Sequence, residues 1–550
     1  MYRKILFISA FISLVTVGCK KDFLDLNVDP NNPATVPASK ILPAALVKTA
    51  YLTVDPNMDY PNIWMGFWSF SATYGIPTNE RDYTYPSSSG RQGFFTNVYS
   101  NAYDYQQIIK LAQADHNLAL QGIGRIMTAY VMQMGVDVYG DIPYTQAFQG
   151  TANQTPKYDK ASDIYDSLYN QITIGINNLK AAQPADLPGV SSDIMFGGNV
   201  VKWVKFANTL KLKMLIRQAG VASKAAYIQS KIASDFNPDM SDFMQKTEIA
   251  KVNPGFTNST NQQSPFWTNF GYSLTNTVTS GSNLDVDRGG LFAINFFGGM
   301  NDLRLSKVMD YTIYLNKNIT TLNPVNGVPV DQAFYNYVED FGVNFFFVGT
   351  EMGKAAVASS GNALPVSFSP ITNNPVTSLI PVKSASSDAL IFSDFESLFL
   401  QAEAVQRGWF ASGDAQQLFN DGIAQSFDYD LEAPLIPALG GTGGAAAALA
   451  NIIPTEDNDW ATAQGAGKEL QAIITQKYMA LATYNFIEPW TEYRRTGFPK
   501  VDLSSAPTSG GVIPYRYLYP QREYSVNAAN VPNLVSGDQF KPIGKIFWMP

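Results

Sequence analysis

The sequence predicts a mainly α fold: tetratricopeptide-like helical pairs forming a superhelical scaffold, with long irregular loops and a few short β-strands. Three observations predict it. Apolar residues recur at steps of three or four along many stretches, which marks amphipathic helices. The stripes come in neighbouring pairs joined by turn residues, the pattern of units that stack to bury a shared core. Long segments between them are rich in Asn, Ser, Gly and Pro and follow no period.

The chain opens with Met1-Tyr2-Arg3-Lys4, an apolar run from Ile5 to Val17, then Gly18-Cys19. A basic start, a short apolar run and a small residue at the cut make a secretory signal over residues 1–18. The run is too short for a bilayer of about 30 Å. Cys19 is the only cysteine of 550 residues, which points to a lipoprotein signal with Cys19 as the lipid attachment. An ordinary signal with a chance cysteine is the alternative, and the avoidance of cysteine elsewhere argues against it. Residues 19–38, dense in Asn, Asp and Pro, read as an extended leader. Residues 39–550 read as one helical domain, since no Pro/Ser/Gly linker divides them.

The helices follow in order. Ile164, Leu168, Ile172, Ile176 and Leu179 form one stripe; Trp203, Ala207, Leu210 and Met214 form the next. Ile391, Phe395, Leu398, Ala402 and Val405 form a third. Asp414 after Ser412-Gly413 is an N-cap, so Ile391–Gly408 and Ala415–Phe427 make a helical hairpin. Leu470, Ile474, Tyr478 and Leu481 complete the set. Residues 75–93, 253–290, 318–388 and 430–465 read as loops, with a β-like run from Asn344 to Val348 and a flexible stretch from Gly440 to Ala448.

Composition narrows the function. The formal charge is −8, and loss of Arg3 and Lys4 with the signal makes it two units more negative. With no basic run, nucleic acid is excluded as a partner. Charged residues are 15% and aromatics 13%, with 29 Tyr and 34 Phe, so polarity rests on amides and hydroxyls. Such a surface suits an uncharged, hydroxyl-rich ligand. With Cys19 lipidated and His116 the only histidine, thiol chemistry and a Cys/His zinc site fall away. His116, in Ala114-Asp115-His116-Asn117, reads as a helix-end residue. No cofactor and no metal site are expected. Asp285-Val286-Asp287 lacks the glycine spacing of a calcium loop.

A set of ordered motifs then stands out. It runs Leu26-Asn27-Val28-Asp29-Pro30-Asn31-Asn32-Pro33, then Asp137-Val138-Tyr139-Gly140-Asp141-Ile142-Pro143-Tyr144, then Lys202-Trp203-Val204-Lys205-Phe206-Ala207-Asn208. Later come Leu400-Gln401-Ala402-Glu403-Ala404, Ile473-Ile474-Thr475-Gln476-Lys477, Glu492-Tyr493-Arg494-Arg495-Thr496-Gly497-Phe498-Pro499, and Tyr519-Pro520-Gln521. Behind a lipoprotein signal, these resemble the SusD-like (SusD/RagB) nutrient-binding outer-membrane lipoproteins of Bacteroidetes-type bacteria. Phe547-Trp548-Met549-Pro550 departs from the Trp-Trp-Asp-like ending often seen there. The resemblance implies a surface-exposed lipoprotein of the outer membrane that captures glycan or another nutrient. It implies a SusC-like TonB-dependent transporter as partner, contact with the membrane through the lipid alone, and no enzymatic activity. Most of the motif residues read as scaffold: Trp203 and Phe206 as core, Arg494 and Arg495 as a salt-bridge set with Glu488 and Glu492.

Sugar recognition needs flat rings for the apolar ring face and planar amide, carboxylate or guanidinium groups for the hydroxyls. Two loop segments carry them. One holds Tyr74, Arg81, Asp82, Tyr83, Tyr85, Phe94 and Asn97; the other holds Asn261, Gln262, Gln263, Phe266, Trp267, Asn269 and Tyr272. Two alternatives accompany the glycan receptor. A peptide or another nutrient could be the ligand of the same fold. A carboxylate-based glycosidase would use Glu488 with Glu492 or Asp137 with Asp141, but Arg494 and Arg495 would hold the glutamates ionised, whereas a general acid needs a raised pKa.

Overall fold

A computed structural model describes residues 36–70, 83, 91–280, 282–308, 383–438, 444–503 and 512–550, with the backbone of three short strands at 312–314, 328–329 and 344–347. The predicted signal, Cys19 and most of the leader lie outside the described residues.

Helix α1 (Ala38–Thr53) starts at the predicted end of the leader. It packs on α2 (Gly93–Ala114), which pairs with α3 (Leu118–Tyr139). Next come α4 (Ala161–Ala181) and α5 (Val200–Arg217), each lying against its predecessor. The apolar stripe of α4 is wholly buried, as are Trp203 and Phe206 of α5. The α3–α4 crossing is close because glycines meet there. A Cβ on Gly122 would lie 2.7 Å from the Gly175 carbonyl, and one on Gly175 would lie 2.9 Å from the Gly122 carbonyl.

The α2–α3 turn explains His116. Its φ of 55° places it in the left-handed region. Asn117 N–H donates to the Ala112 carbonyl (2.8 Å) and His116 N–H to that of Gln113 (3.3 Å), so the helix ends in a Schellman motif. Asn117 then caps α3 by accepting from Leu120 N–H (2.8 Å). One residue stops a helix and the next starts another.

Among the described residues, seven short strands tie the loops down. β1 (Trp68–Phe70) pairs antiparallel with β3 (Asp287–Gly289), and β2 (Ala250–Val252) with β7 (Ala389–Phe392). Strand β6 (Asn344–Phe347), where the β-like run was expected, lies between β4 (Thr312–Tyr314) and β5 (Val328–Pro329). Ile391 was expected in a helix. It lies in β7 instead, because its carbonyl is taken by the Tyr130 hydroxyl (2.6 Å) and the helix waits for the cap at Ser393.

That helix, α6 (Asp394–Gln406), forms the expected hairpin with α7 (Ala415–Ala438). Asp414 accepts from Gln417 N–H (3.0 Å), as its cap role requires. Of the stretch expected to be flexible, residues 440–443 lie outside the described residues, while Gly444–Ala450 is a helix: Ala445 and Ala448 bury their methyls, and alanine has the highest helix propensity. Two further helices, α8 (Glu469–Leu481) and α9 (Glu488–Thr496), close the body. One buried apolar cluster runs from Ala38 to Trp548. No helix among the described residues is long and apolar enough to cross a membrane.

Candidate functional site

Asn97 of the first segment and Asn269 and Phe270 of the second lie near the C-terminal end of α1. Asn97 of α2 donates to Asp55 Oδ2 (2.7 Å), just past that end. Burial pushes the Asp55 carboxyl above its usual value, against the hydrogen bonds from Asn97 and Asn57. One turn earlier, burial raises the Tyr51 phenol's pKa, and Asn269 of the second segment lies close enough to oppose that rise. The strand that leads toward Tyr74 is β1, and its Trp68 ring packs on Phe270 at 5.1 Å. Long-range packing has therefore brought Asn97 and the second segment, far apart in sequence, to the same end of α1.

Between the second segment and the β2–β7 pair lies a cleft of about 360 Å³, walled by Thr53 of α1, Val54 just past it, Phe266, Lys383, Asp388, Tyr429 and Tyr484. The Phe266 wall is a short helix, Pro265–Phe270. Proline fits its first position, where no amide donor is needed. Ser264 anchors it by donating from N–H to the Ala385 carbonyl (2.7 Å) and from Oγ to that of Ser384 (3.1 Å). Lys383 is buried beneath the cleft. Its Nζ lies 4.3 Å from the Phe266 ring centroid and donates to Thr483 Oγ1 (2.5 Å). At the rim, Lys251 pairs with Asp388 (2.6 Å). Burial opposes the Asp388 charge, but hydrogen bonds from Lys251 and Asn253 outweigh it and hold the carboxyl below its usual value. The cleft thus combines partly open rings with hydroxyls and fixed charges, which is the equipment for a polar ligand with an apolar face.

The candidate residues fare unequally. Phe266 lines the cleft half-buried. Asn261 is exposed in the left-handed region (φ 60°) at a loop tip, and Gln263 donates to Asn258 Oδ1 (2.7 Å) beside it. Asn269 is half-buried and braces its helix through Pro265 O (3.0 Å). Four rings are enclosed: Tyr83 and Phe94 at 0% exposure, Trp267 at 2% and Tyr272 at 6%. Large rings lower the free energy most by leaving water entirely, so they became loop cores. Tyr74, Arg81, Asp82 and Tyr85 lie outside the described residues. Sequence reasoning missed Lys383, Tyr429 and Tyr484. No local pattern marks them, because each comes from a different helix or loop and only packing assembles the set.

Of the carboxylates considered for hydrolysis, Glu488, Glu492 and Asp137 belong to a buried ionic network instead. Arg217 Nη2 donates to Glu488 Oε2 (2.6 Å) and Nη1 to Glu492 Oε1 (2.7 Å). Lys477 donates to both glutamates (2.6 and 3.1 Å), and Lys213 joins Glu488 (2.9 Å) to Glu396 (2.7 Å). Arg495 holds Glu403 bidentately (2.7 Å twice) while also binding Glu492. Glu488 is therefore neutralised by Arg217, Lys213 and Lys477, and not by the expected arginines. Arg494 turns elsewhere, stacking 3.5 Å over Trp490 and donating to the Tyr515 carbonyl (2.8 Å). Burial opposes the Glu492 charge, but Arg495, Lys477 and Arg217 pull its pKa down to about 2. Glu488 lies well below the usual range for the same kind of reason. Neither can keep a proton to donate at neutral pH. Asp137 accepts from Tyr165 and from Trp548 Nε1 (3.1 Å), while Asp141 turns away to Lys160 (2.9 Å) and the Ala161 N–H (2.9 Å).

A family model described as starch-binding, associating with outer membrane, and SusD-like matches residues 30–520. The chain belongs to the SusD-like family. Its fold is correspondingly that of solved members at low identity. A chitin-binding protein superposes with a TM-score of 0.66 at 20% identity, covering 93% of this chain and all of its own. A SusD homolog from Bacteroides fragilis gives 0.65 at 20%, covering 94% of this chain and 99% of its own. A chitin-binding SusD homolog from Flavobacterium johnsoniae gives 0.62 at 21%, covering 93% and 98%. No curated relative matches. As a SusD-like protein, the chain is a nutrient-binding protein associated with the outer membrane, and not an enzyme.

Proposed function

We propose that this SusD-like chain captures an uncharged oligosaccharide in the cleft beside α1 and passes it to a SusC-like TonB-dependent transporter. Cys19 carries the lipid that tethers it to the outer face of the outer membrane, and the leader supplies the reach. The observation that carries the ligand reading is the Phe266 wall: a half-open ring backed by Lys383, in a cleft also lined by Asp388, Tyr429 and Tyr484; Asn261, Gln263 and Asn269 of the same segment are proposed to reach the ligand from beside it. A ring gives a pyranose its apolar platform, and amides bridge adjacent hydroxyls. Tyr429 and Tyr484 offer further ring surface. Tyr74, Arg81, Asp82, Tyr85 and Asn97 are proposed to complete the ligand face from the neighbouring loop. Two structural relatives are named as chitin-binding, so chitin oligosaccharides head the panel to be tested.

The test is calorimetric titration of the full chain in detergent with neutral oligosaccharides, with and without a SusC-like transporter from the same organism. Saturable binding without product release is expected. Loss of one stacking ring should weaken binding about five- to tenfold in Phe266→Ala. Phe266 suits this test better than Trp267, whose buried ring also holds the loop. A panel without binding in the transporter's presence would remove the glycan reading. Mass spectrometry of the membrane-extracted chain should find acyl chains on Cys19.

A further inference from the structure

A second cavity, of about 450 Å³, opens among α2, α3, α4 and the segment after Tyr144, on a different set of helices from the Phe266 cleft. That volume lies within the usual range for small-molecule sites, roughly 300–1,000 Å³. Among the described residues, its walls hold Lys110 and Arg125 but no carboxylate. This is unusual in a chain where acids outnumber bases, 46 to 38. The nearby Asp159 is occupied elsewhere: it accepts from Tyr144 N–H (2.9 Å), Thr145 N–H (2.8 Å) and Thr145 Oγ1 (2.8 Å).

Arg125 is half-buried and held in place by a neutral partner, donating from Nη1 to Gln171 Oε1 (2.6 Å). Its buried Nε–H meets no acceptor, and its charge has no ion-pair partner, among the described residues. A half-buried cation facing only neutral groups leaves favourable interaction unused. Gln106 also lines the wall, bonded to Thr128 (3.3 Å). At the mouth stands Phe148, half-buried, with a φ of 63°. That backbone region is strained for a large side chain, and such strain concentrates where a side chain must be aimed.

We propose that this cavity is a second ligand site, for a saccharide bearing a carboxylate, such as a uronic acid residue. Arg125 and Lys110 bind the carboxylate, Gln106 and Gln171 meet the hydroxyls, and Phe148 with Tyr144 supplies ring surface. A planar guanidinium suits a planar carboxylate, and the amides suit vicinal hydroxyls. Arg125 also acts on Tyr144: burial pushes that phenol up to about 12, and the Arg125 charge opposes the rise. The site differs from the Phe266 cleft in place and in ligand charge.

The test is titration of the full chain in detergent with D-galacturonate, D-galactose and acetate at low and raised salt. Galacturonate should bind at least about tenfold more tightly than the other two, and salt should weaken it. Arg125→Gln should lower that affinity about tenfold, and Lys110→Gln, at an exposed position with little bearing on folding, about threefold. Equal binding of galacturonate and galactose, or an unchanged affinity in Lys110→Gln and Arg125→Gln together, overturns the site. Acetate binding as tightly as galacturonate overturns the saccharide. Phe266→Ala should leave galacturonate binding unaltered, so failure here and failure of the cleft reading are separable; a shared loss in Phe266→Ala overturns the second site.

Discussion

Replacing Arg217 by methionine should destabilise the protein in a pH-dependent way. Arg217 bridges three buried carboxylates: Glu488 at 2.6 Å, Glu492 at 2.7 Å and Asp137 at 3.5 Å. After its removal, Glu488 keeps Lys213 and Lys477, and Glu492 keeps Lys477 and Arg495. Asp137 fares worst. It loses its one salt-bridge partner among the described residues and retains only the Tyr165 and Trp548 donors. Breaking a buried pair from one side costs about 3–5 kcal/mol. Unfolding entropy is about 2.1 cal/mol/K per residue, so over this length the cost lowers Tm by about 3–5 °C. The sign of the pH effect follows from Asp137. Burial already raises its pKa, and Arg217 is the largest opposing influence. Without Arg217 the pKa rises further, so protonation relieves the variant as pH falls. Calorimetry at pH 7 and pH 5.5 should show the deficit shrinking on acidification. Adding Asp137→Asn to the variant should restore part of the loss, because neighbouring changes in one network are not additive. A fall in Tm below about 1 °C at pH 7, or a deficit that grows on acidification, would refute the reasoning.

The unaltered protein should behave oppositely in acid. Glu492, held at about 2 against an ordinary 4.5, contributes stability above 4.5 that is lost as pH falls toward 2. Asp137 and Glu396, both raised chiefly by burial, return part of it, and a denaturant midpoint that stays flat from pH 5 to 3 would contradict this balance. Gly122→Ala should lower Tm by about 1–3 °C through overpacking against Gly175, whereas Gly299→Ala, with open space around it, should leave Tm nearly unchanged; equal effects would remove the close-approach argument. Binding measurements on Phe266→Ala, Lys110→Gln and Arg125→Gln should separate the two ligand sites as described above.

Local features of the chain carried much of this structure. The stripe from Ile164 to Leu179 specified a helix and its buried face, because a 3.6-residue period leaves one way to hide those side chains. Asp414, and the turn residues around His116, specified helix ends through contacts a few residues long. The proposed lipoprotein signal likewise rests on local sequence. What needed the fold was every choice between two uses of the same residue type. Trp267 and Phe266 are adjacent and alike in sequence, yet one is enclosed and the other half-open, because the anchor to residues 384–385 orients their short helix. Glu488 and Glu492 carry the spacing of a catalytic pair, and only the arrival of Arg217 and Lys477 from two other helices makes them a neutralised strut. Lys383, Tyr429 and Tyr484 became one wall only when distant segments met. Periodicity sets which side faces inward; burial, partner charge and cavity shape depend on which elements pack together, and that is decided in three dimensions.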